Sequence, residues 1–173
     1  MVVVPETVRL RLLERTVSPP LESTKDFGVR DGDIRVARSN GEQRLVLVLK
    51  TVIERQMAQV ALIHPYREWA TSSDVVIESS LTTVAFPVVV ETLMRGVVTI
   101  TDLGELVTCL SAQVFAEVVA TCMAPRMILP TMPGISTGVS CSGPFLAHQE
   151  FKNAELASLQ RLCASCTATA LEH

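Results

Sequence analysis

Aromatic residues and long apolar runs are both scarce in this sequence. Phe, Trp and Tyr make up 4% of the 173 residues, so the hydrophobic share of 48% consists mainly of Val, Leu, Ala and Ile. No apolar run reaches the roughly 18 residues that a membrane-spanning helix needs. No basic segment precedes the first apolar stretch, as it would in a secretory signal. We therefore expect a cytoplasmic protein that has no membrane partner.

Positive charge and the familiar catalytic motifs are lacking as well. The formal net charge is −3, which argues against a protein that coats nucleic acid but is compatible with a local basic groove. Neither a glycine-rich phosphate loop nor a GxSxG elbow occurs. Apart from the terminal His173, the histidines are His64 and His148, and no ladder of acidic residues accompanies them. The sequence therefore predicts neither a metal site nor a cofactor.

Cysteine occurs an odd number of times, at positions 109, 122, 141, 163 and 166. An odd count without a secretory signal is typical of a reducing compartment. Cys163 and Cys166 form a CxxC pair, a spacing found in redox sites and in half of a zinc site. No second CxxC is present, and the pair ends a helical pattern. We therefore favour the interpretation that both are small apolar residues on a helix.

Short runs rich in Val, Ile and Leu fill the middle of the chain and predict β-strands. They span residues 34–37, 44–52, 58–64, 74–78, 87–92 and 96–101. Between the first two, Asn40-Gly41 is the strongest hairpin signal in the chain. No connection is long enough for the helical crossover that parallel strands need. The pattern predicts an antiparallel, strongly curved sheet or small barrel.

Helical patterns flank the strands and divide the chain into four parts. We expect an N-terminal helix and linker in residues 1–29 and the β domain in residues 30–122, where a helix follows Ser111. Residues 123–170 predict a Pro- and Gly-rich extension with a C-terminal helix, and residues 171–173 resemble a tag remnant. The expected class is mainly β with peripheral helices (α+β). The apolar composition also favours an oligomer.

The order of the motifs in residues 30–122 resembles the MazF/PemK toxins. Asp31-Gly32-Asp33-Ile34 precedes a hairpin that contains Gly41-Glu42-Gln43-Arg44, and the strands LVLVL, VALIHP, DVVIE and GVVTI follow. The resemblance implies a small antiparallel SH3-like barrel, usually dimeric, that cleaves single-stranded RNA without a metal. It also implies an antitoxin-like or other protein partner.

Two positions carry the chemistry of that family: an Arg at the start of the second strand and a Ser or Thr at the end of the third. Arg44 matches the first position. At the second, near residues 65–67, this sequence has no hydroxyl of that type and offers Tyr66 instead. Leu45 replaces the Pro that follows the Arg in the family.

Metal-free cleavage of RNA needs a base, a cation that stabilises the phosphorane, and an acid. Arg binds phosphate oxygens through its planar fork, and His exchanges protons near neutral pH. Arg44, His64, Tyr66 and Arg67 together contain these groups, so we predict these four as catalytic residues.

Three further residues, Trp69, Arg35 and Arg95, are predicted to contact nucleic acid or a protein partner. The ring of Trp69 suits stacking on a base.

The alternative function is a non-catalytic barrel module that binds a protein or nucleic acid. The missing Ser or Thr, the acidic balance and the Pro-rich tail favour it, and an accessory protein built for assembly is a third hypothesis. Purely structural roles are also open: His64 as a hydrogen-bonded structural residue, or Arg44 paired with Glu42.

Overall fold

One antiparallel sheet of seven strands forms the centre of the computed structural model, which describes residues 28–124, 129–139 and 145–170. The strands are β1 (Asp33–Ser39), β2 (Glu42–Val52), β3 (Met57–His64), β4 (Val75–Ile77), β5 (Val88–Thr99), β6 (Leu103–Cys109) and β7 (Ile135–Thr137). Their order across the sheet is β6-β1-β2-β3-β5-β4-β7. Within these described residues, two α-helices pack on the sheet, α1 (Ala112–Met123) and α2 (Phe145–Ala170). The predicted class, mainly β with peripheral helices, is confirmed.

The hairpin predicted at Asn40-Gly41 joins β1 to β2. Asn40 has φ 50° and Gly41 has φ 74°, the left-handed conformations that a two-residue type I′ turn requires. The turn sets the register in which Ser39 lies opposite Glu42 and Ala37 lies opposite Arg44. This register fixes the face of the sheet on which each later residue of β2 lies.

Both faces of the central strands are buried. In β2, Leu47 belongs to one apolar core, together with residues of α1, whereas Val46 and Val48 belong to a second core, together with residues of α2. In β3, Ile63 and Leu62 divide in the same way. The sheet therefore lies between α1 and α2, which explains why its central strands are nearly continuous apolar runs.

Strand β5 differs from the prediction, which divided it into two strands, residues 87–92 and 96–101. The ladder with β3 has an irregularity at which Ile63 pairs with Val90 but Ala61 pairs with Arg95. The chain absorbs the intervening residues as a bulge and continues as one strand. Strands β6 and β7 were not predicted, because β6 alternates weakly and β7 has three residues.

The described helices form in the regions where helices were predicted, but their extents differ from the prediction. Ser111 caps α1 as predicted, since its Oγ accepts a hydrogen bond from the Val114 amide at 3.3 Å. Helix α2, predicted only as a C-terminal helix within residues 123–170, begins at Phe145. The helix predicted near residues 5–15 lies outside the described residues. Among the helices of the described ranges, none combines the length and apolarity that crossing a membrane requires.

Candidate functional site

Helix α2 covers the sheet face that carries Arg44 and His64. Buried residues recur every three or four positions along the side of α2 that meets the sheet: Glu155, Ser158, Leu159, Leu162 and Cys166. This stripe is polar up to Ser158 and apolar from Leu159 onward. We therefore distinguish a cover half, residues 148–158, from an anchor half, residues 159–166.

Eight polar side chains lie between the cover half and the sheet, and we call them the buried polar cluster. The cluster consists of Glu42, Arg44, His64, Asp74 and Glu91 from the sheet and Lys152, Glu155 and Ser158 from α2. The neighbouring strands β2, β3 and β5 contribute Arg44, His64 and Glu91, and Asp74 directly precedes the next strand, β4. Strand order thus brings together residues that are far apart in sequence.

Arg44 is held at the boundary between β2 and α2. Its Nε lies 3.2 Å from Glu42 Oε1, and its Nη2 lies 3.1 Å from Glu155 Oε1. Nε also donates to the Ser158 hydroxyl, which in turn donates to Glu42. The side chain of Arg44 is 11% exposed, so a phosphate can reach its guanidinium only if α2 moves.

Glu42 is the acceptor of this part of the cluster. Burial favours a higher pKa for its carboxyl, but hydrogen bonds from Ser158 and Arg161 and the charge of Arg44 outweigh burial and lower the pKa. The Arg161 bond measures 2.7 Å between Nε and Oε2. Glu42 is therefore ionised near neutral pH and counters the charge of Arg44.

Lys152 joins α2 to two sheet-side carboxylates. Its Nζ lies 3.0 Å from Asp74 Oδ2 and also donates to Glu91. Burial alone would lower the pKa of Lys152, but the two carboxylates raise it above its ordinary value. Asp74 also accepts hydrogen bonds from the Thr71 amide and hydroxyl, both at 2.8 Å. Lys152 is therefore positively charged, and its charge counters those of Asp74 and Glu91.

His64 and Glu91 form a buried pair beside Lys152. Nδ1 of His64 accepts a hydrogen bond from the Tyr66 amide at 3.2 Å, so the proton of the neutral ring lies on Nε2. Nε2 is 3.8 Å from Glu91 Oε1. Among the described residues, His64 Nε2 and Glu91 Oε2 are buried atoms without a hydrogen-bond partner. Nε2 of His64 is a donor, and Oε2 of Glu91 is an acceptor when the carboxyl is ionised.

Burial shifts the pKa of both members of this pair toward the neutral form. It lowers the pKa of His64 to about 3, and the charges of Lys152 and Arg44 act in the same direction. It raises the pKa of Glu91 to about 7, against the opposing effect of Lys152. Buried groups with strongly shifted pKa values, arranged beside a cation, are typical of functional sites.

Aromatic rings extend the cluster toward the rim. Phe151 of α2 contacts the edge of the His64 ring with centroids 5.1 Å apart, and it stacks on Trp69 at 5.2 Å. His148 also stacks on Trp69, and Tyr66 stacks on His64, both at 6.0 Å. The loop that follows β3 is therefore a contact surface for the cover half.

The other three predicted site residues lie elsewhere. Arg67 is 54% exposed at the rim, with Nη1 2.6 Å from Glu78 Oε1. Arg35 is buried beside Asp33, which its Nε contacts at 2.9 Å. Arg95 contacts the Met123 sulfur of α1 at 3.6 Å. The structure thus brings together Arg44, His64, Tyr66 and Trp69.

Sequence analysis missed Glu91, Lys152, Glu155 and Ser158. Glu91 does leave a signal, since a carboxyl directly after Val88-Val89-Val90 is costly to bury and needs partners. The α2 residues also carry a signal, because the spacing of Lys152, Glu155 and Ser158 places them on one helical face. What the sequence does not specify is the strand face that this helix covers.

The cysteines of the described residues, positions 109, 122, 163 and 166, are all free. Burial raises the pKa of both Cys163 and Cys166, which lowers their reactivity as thiolates. Within residues 28–124, 129–139 and 145–170, no group of three His, Cys, Asp or Glu side chains is arranged to hold a metal ion.

No protein-family model matches this chain, and no curated protein matches its sequence. Part of the chain is similar to solved toxin structures. The Mycobacterium tuberculosis toxin MazF-mt6 is 22% identical with a TM-score of 0.40, over 53% of this chain and 95% of that one. A second structure, an Mtb toxin, is 18% identical with a TM-score of 0.40, over 51% and 96%. At these values the likeness is partial and concerns the fold.

Proposed function

We propose that this protein is a metal-independent endoribonuclease of the toxin type that acts on single-stranded RNA. The observation that carries the proposal is the buried polar cluster, where Arg44 lies with the partnerless Nε2 of His64 and Oε2 of Glu91. A cation, a proton donor and a proton acceptor are thereby gathered on one face. These are the groups that cleavage by the ribose 2′-hydroxyl requires.

Each group has a role in the proposed reaction. Glu91, in its carboxylate form, accepts the proton of the 2′-hydroxyl as the 2′ oxygen attacks phosphorus. Arg44 stabilises the charged phosphorane. When α2 withdraws, the pKa of His64 rises and its ring takes up a proton. The resulting imidazolium donates a proton from Nε2 to the 5′ oxygen as the bond from phosphorus to that oxygen breaks. The products are a 2′,3′-cyclic phosphate and a 5′-hydroxyl.

The predicted rim residues act on the RNA outside the reacting bond. Trp69 offers a base-stacking ring once Phe151 and His148 leave it, and Tyr66 and Arg67 contact the flanking nucleotides. Arg35 and Arg95 lie outside this proposed site. The homodimer and the cytoplasmic location stay predictions.

The test compares RNA cleavage by purified proteins in the presence of EDTA. Because α2 covers the cluster, the assay uses the wild type and a Phe151→Ala/Lys152→Ala variant, with Arg44→Gln introduced into each. We expect the double variant to cleave RNA. Introducing Arg44→Gln into the double variant should lower its rate of cleavage by about 100-fold. Arg38→Gln is the matched control, because Arg38 is an exposed arginine of β1 that pairs with Glu105. Intact RNA with every protein would overturn the proposal.

A protein-binding module is the second candidate, and the seating of α2 supports it. A helix already lies on the Arg44 face through Lys152, Glu155 and Ser158. A partner helix with the same charge spacing would use the same contacts. Titration with a peptide of residues 145–170 tests this candidate, and displacement of α2 would appear as a change in Trp69 fluorescence.

A further inference from the structure

The two halves of α2 are attached to the sheet by different chemistry. Leu159 and Leu162 of the anchor half enter the apolar core that includes Val46, Val60 and Leu62. Gly96 of β5 allows this close approach, because a Cβ at that position would clash with Cys163 Sγ and contact Leu159. The anchor half is therefore held by apolar burial, which any withdrawal from the sheet would reverse.

The cover half is held by charges and rings. Its buried contacts are those of Lys152, Glu155 and Ser158 with the sheet-side acids and Arg44. The free energy needed to remove charges from water offsets much of the free energy gained by pairing them, so such contacts add specificity more than stability. The cover half is also the half under which His64 Nε2 and Glu91 Oε2 stay unsatisfied. Withdrawal would give both atoms water or substrate as partners.

We propose that α2 is a two-part latch: residues 159–166 stay docked on the sheet while residues 148–158 withdraw from Arg44, His64 and Trp69 to admit a single-stranded RNA. The inference rests on the proposed function for the identity of the substrate. The division of the helix into an anchor and a cover does not depend on it. Closed, the latch holds Nη2 of Arg44 against Glu155; open, that side of the guanidinium is available to a phosphate.

The first test follows hydrogen exchange along α2 in the full-length wild-type protein. We expect amides of the cover half to exchange at least about tenfold faster than those of the anchor half. Equal protection of the two halves would overturn the latch, because the helix would then open as one unit. This measurement needs no variant and depends on no activity.

The second test uses Trp69, the single tryptophan of the chain, as a reporter of the cover half. In Phe151→Ala/Lys152→Ala, we expect acrylamide to quench Trp69 more strongly while the anchor half keeps its protection. Asn153→Ala, an exposed residue of the same turn, is the control and should match the wild type. Unchanged quenching in the double variant would contradict the latch.

RNA cleavage by the same proteins separates the latch from the proposed function. Stronger quenching together with at least about tenfold faster cleavage supports both. Stronger quenching with intact RNA would keep the latch and remove the ribonuclease. Equal cleavage by the wild type and the double variant, at different quenching, would show that the cover half does not control the site.

Discussion

At the scale of single residues, the buried pair of His64 and Glu91 determines the behaviour of the site. Burial beneath the same helix favours the neutral form of both groups, and both keep an atom without a hydrogen-bond partner. Uncovering the pair removes the main cause of each shift. The pKa of His64 would then rise and that of Glu91 would fall, so opening of α2 also changes the protonation of the groups that it exposes.

Replacing His64 tests this at low pH. The folded-state pKa of about 3 lies below the ordinary value of 6.5 for histidine, so the unfolded state binds the extra proton between these values. The stability that neutral His64 contributes is present above pH 6.5 and is lost as the pH falls toward 3. We expect the stability of His64→Gln relative to wild type to increase as pH falls through this window, measured by urea unfolding. A difference that does not vary with pH would contradict the assignment.

Replacing Glu91 tests a pH dependence of stability that has the opposite sign. Its folded-state pKa of about 7 lies above the ordinary value of 4.5 for glutamate, so the folded state binds the extra proton. The stability from this raised pKa is full below pH 4.5 and is lost as the pH rises to 7. Relative to wild type, Glu91→Gln should therefore gain stability as pH rises from 4.5 to 7. The same unfolding series measures it, and a relative loss over that range would exclude a buried neutral Glu91.

At the scale of elements, the docking of α2 on β5 depends on fit. Gly96→Ala would place a methyl group against Cys163 Sγ and should lower the free energy of unfolding by about 1–3 kcal/mol. Gly28→Ala, where a Cβ meets nothing within 4 Å, is the control. Adding Cys163→Ala should restore most of the loss. A Gly96→Ala protein as stable as the wild type would show that α2 is not tightly packed there.

Two leucines of α2 provide a matched comparison of burial. Leu162 is fully buried and Leu146 is 72% exposed. Leu162→Ala should lower the free energy of unfolding by about 2–5 kcal/mol, whereas Leu146→Ala should change it by less than about 0.5 kcal/mol. Similar losses in both variants would contradict the anchored arrangement of the helix.

Local sequence patterns predicted which elements form more accurately than where those elements begin and end. Asn40-Gly41 specified its hairpin because both residues accept positive φ. Arg95-Gly96 resembles a turn, but pairing with β3 and packing against α2 keep the chain extended there. Strand β6 escaped prediction because most of its side chains are partly or fully exposed, so its alternation is weak.

At the scale of the whole molecule, the candidate site is a product of contacts between distant segments. Arg44 and His64 could be predicted because they occur in strong strand motifs. Their burial could not, because Ser158 and Glu42 meet across 116 positions of sequence. The sequence shows that a C-terminal helix forms and does not show which face it occupies. The same contact covers the sheet face that carries Arg44 and His64.

Unfolding of the whole molecule should reflect the two kinds of attachment. We expect Trp69 fluorescence to change at a lower urea concentration than far-UV circular dichroism, because the cover half is lost before the sheet. Coincident transitions by both probes would indicate a single cooperative unit. The Phe151→Ala/Lys152→Ala variant should lose the early fluorescence step.

The position of α2 at the far end of the described chain has a consequence for synthesis on the ribosome. Strand β3 ends at His64, and the last buried residue of the anchor half is Cys166, about a hundred residues later. At a translation rate of about 5–20 residues per second, the apolar face formed by Val46, Val60 and Leu62 waits roughly 5–20 seconds for its cover. During that interval the nascent sheet exposes an apolar surface that is prone to aggregation. We therefore expect this protein to depend on chaperones during its synthesis.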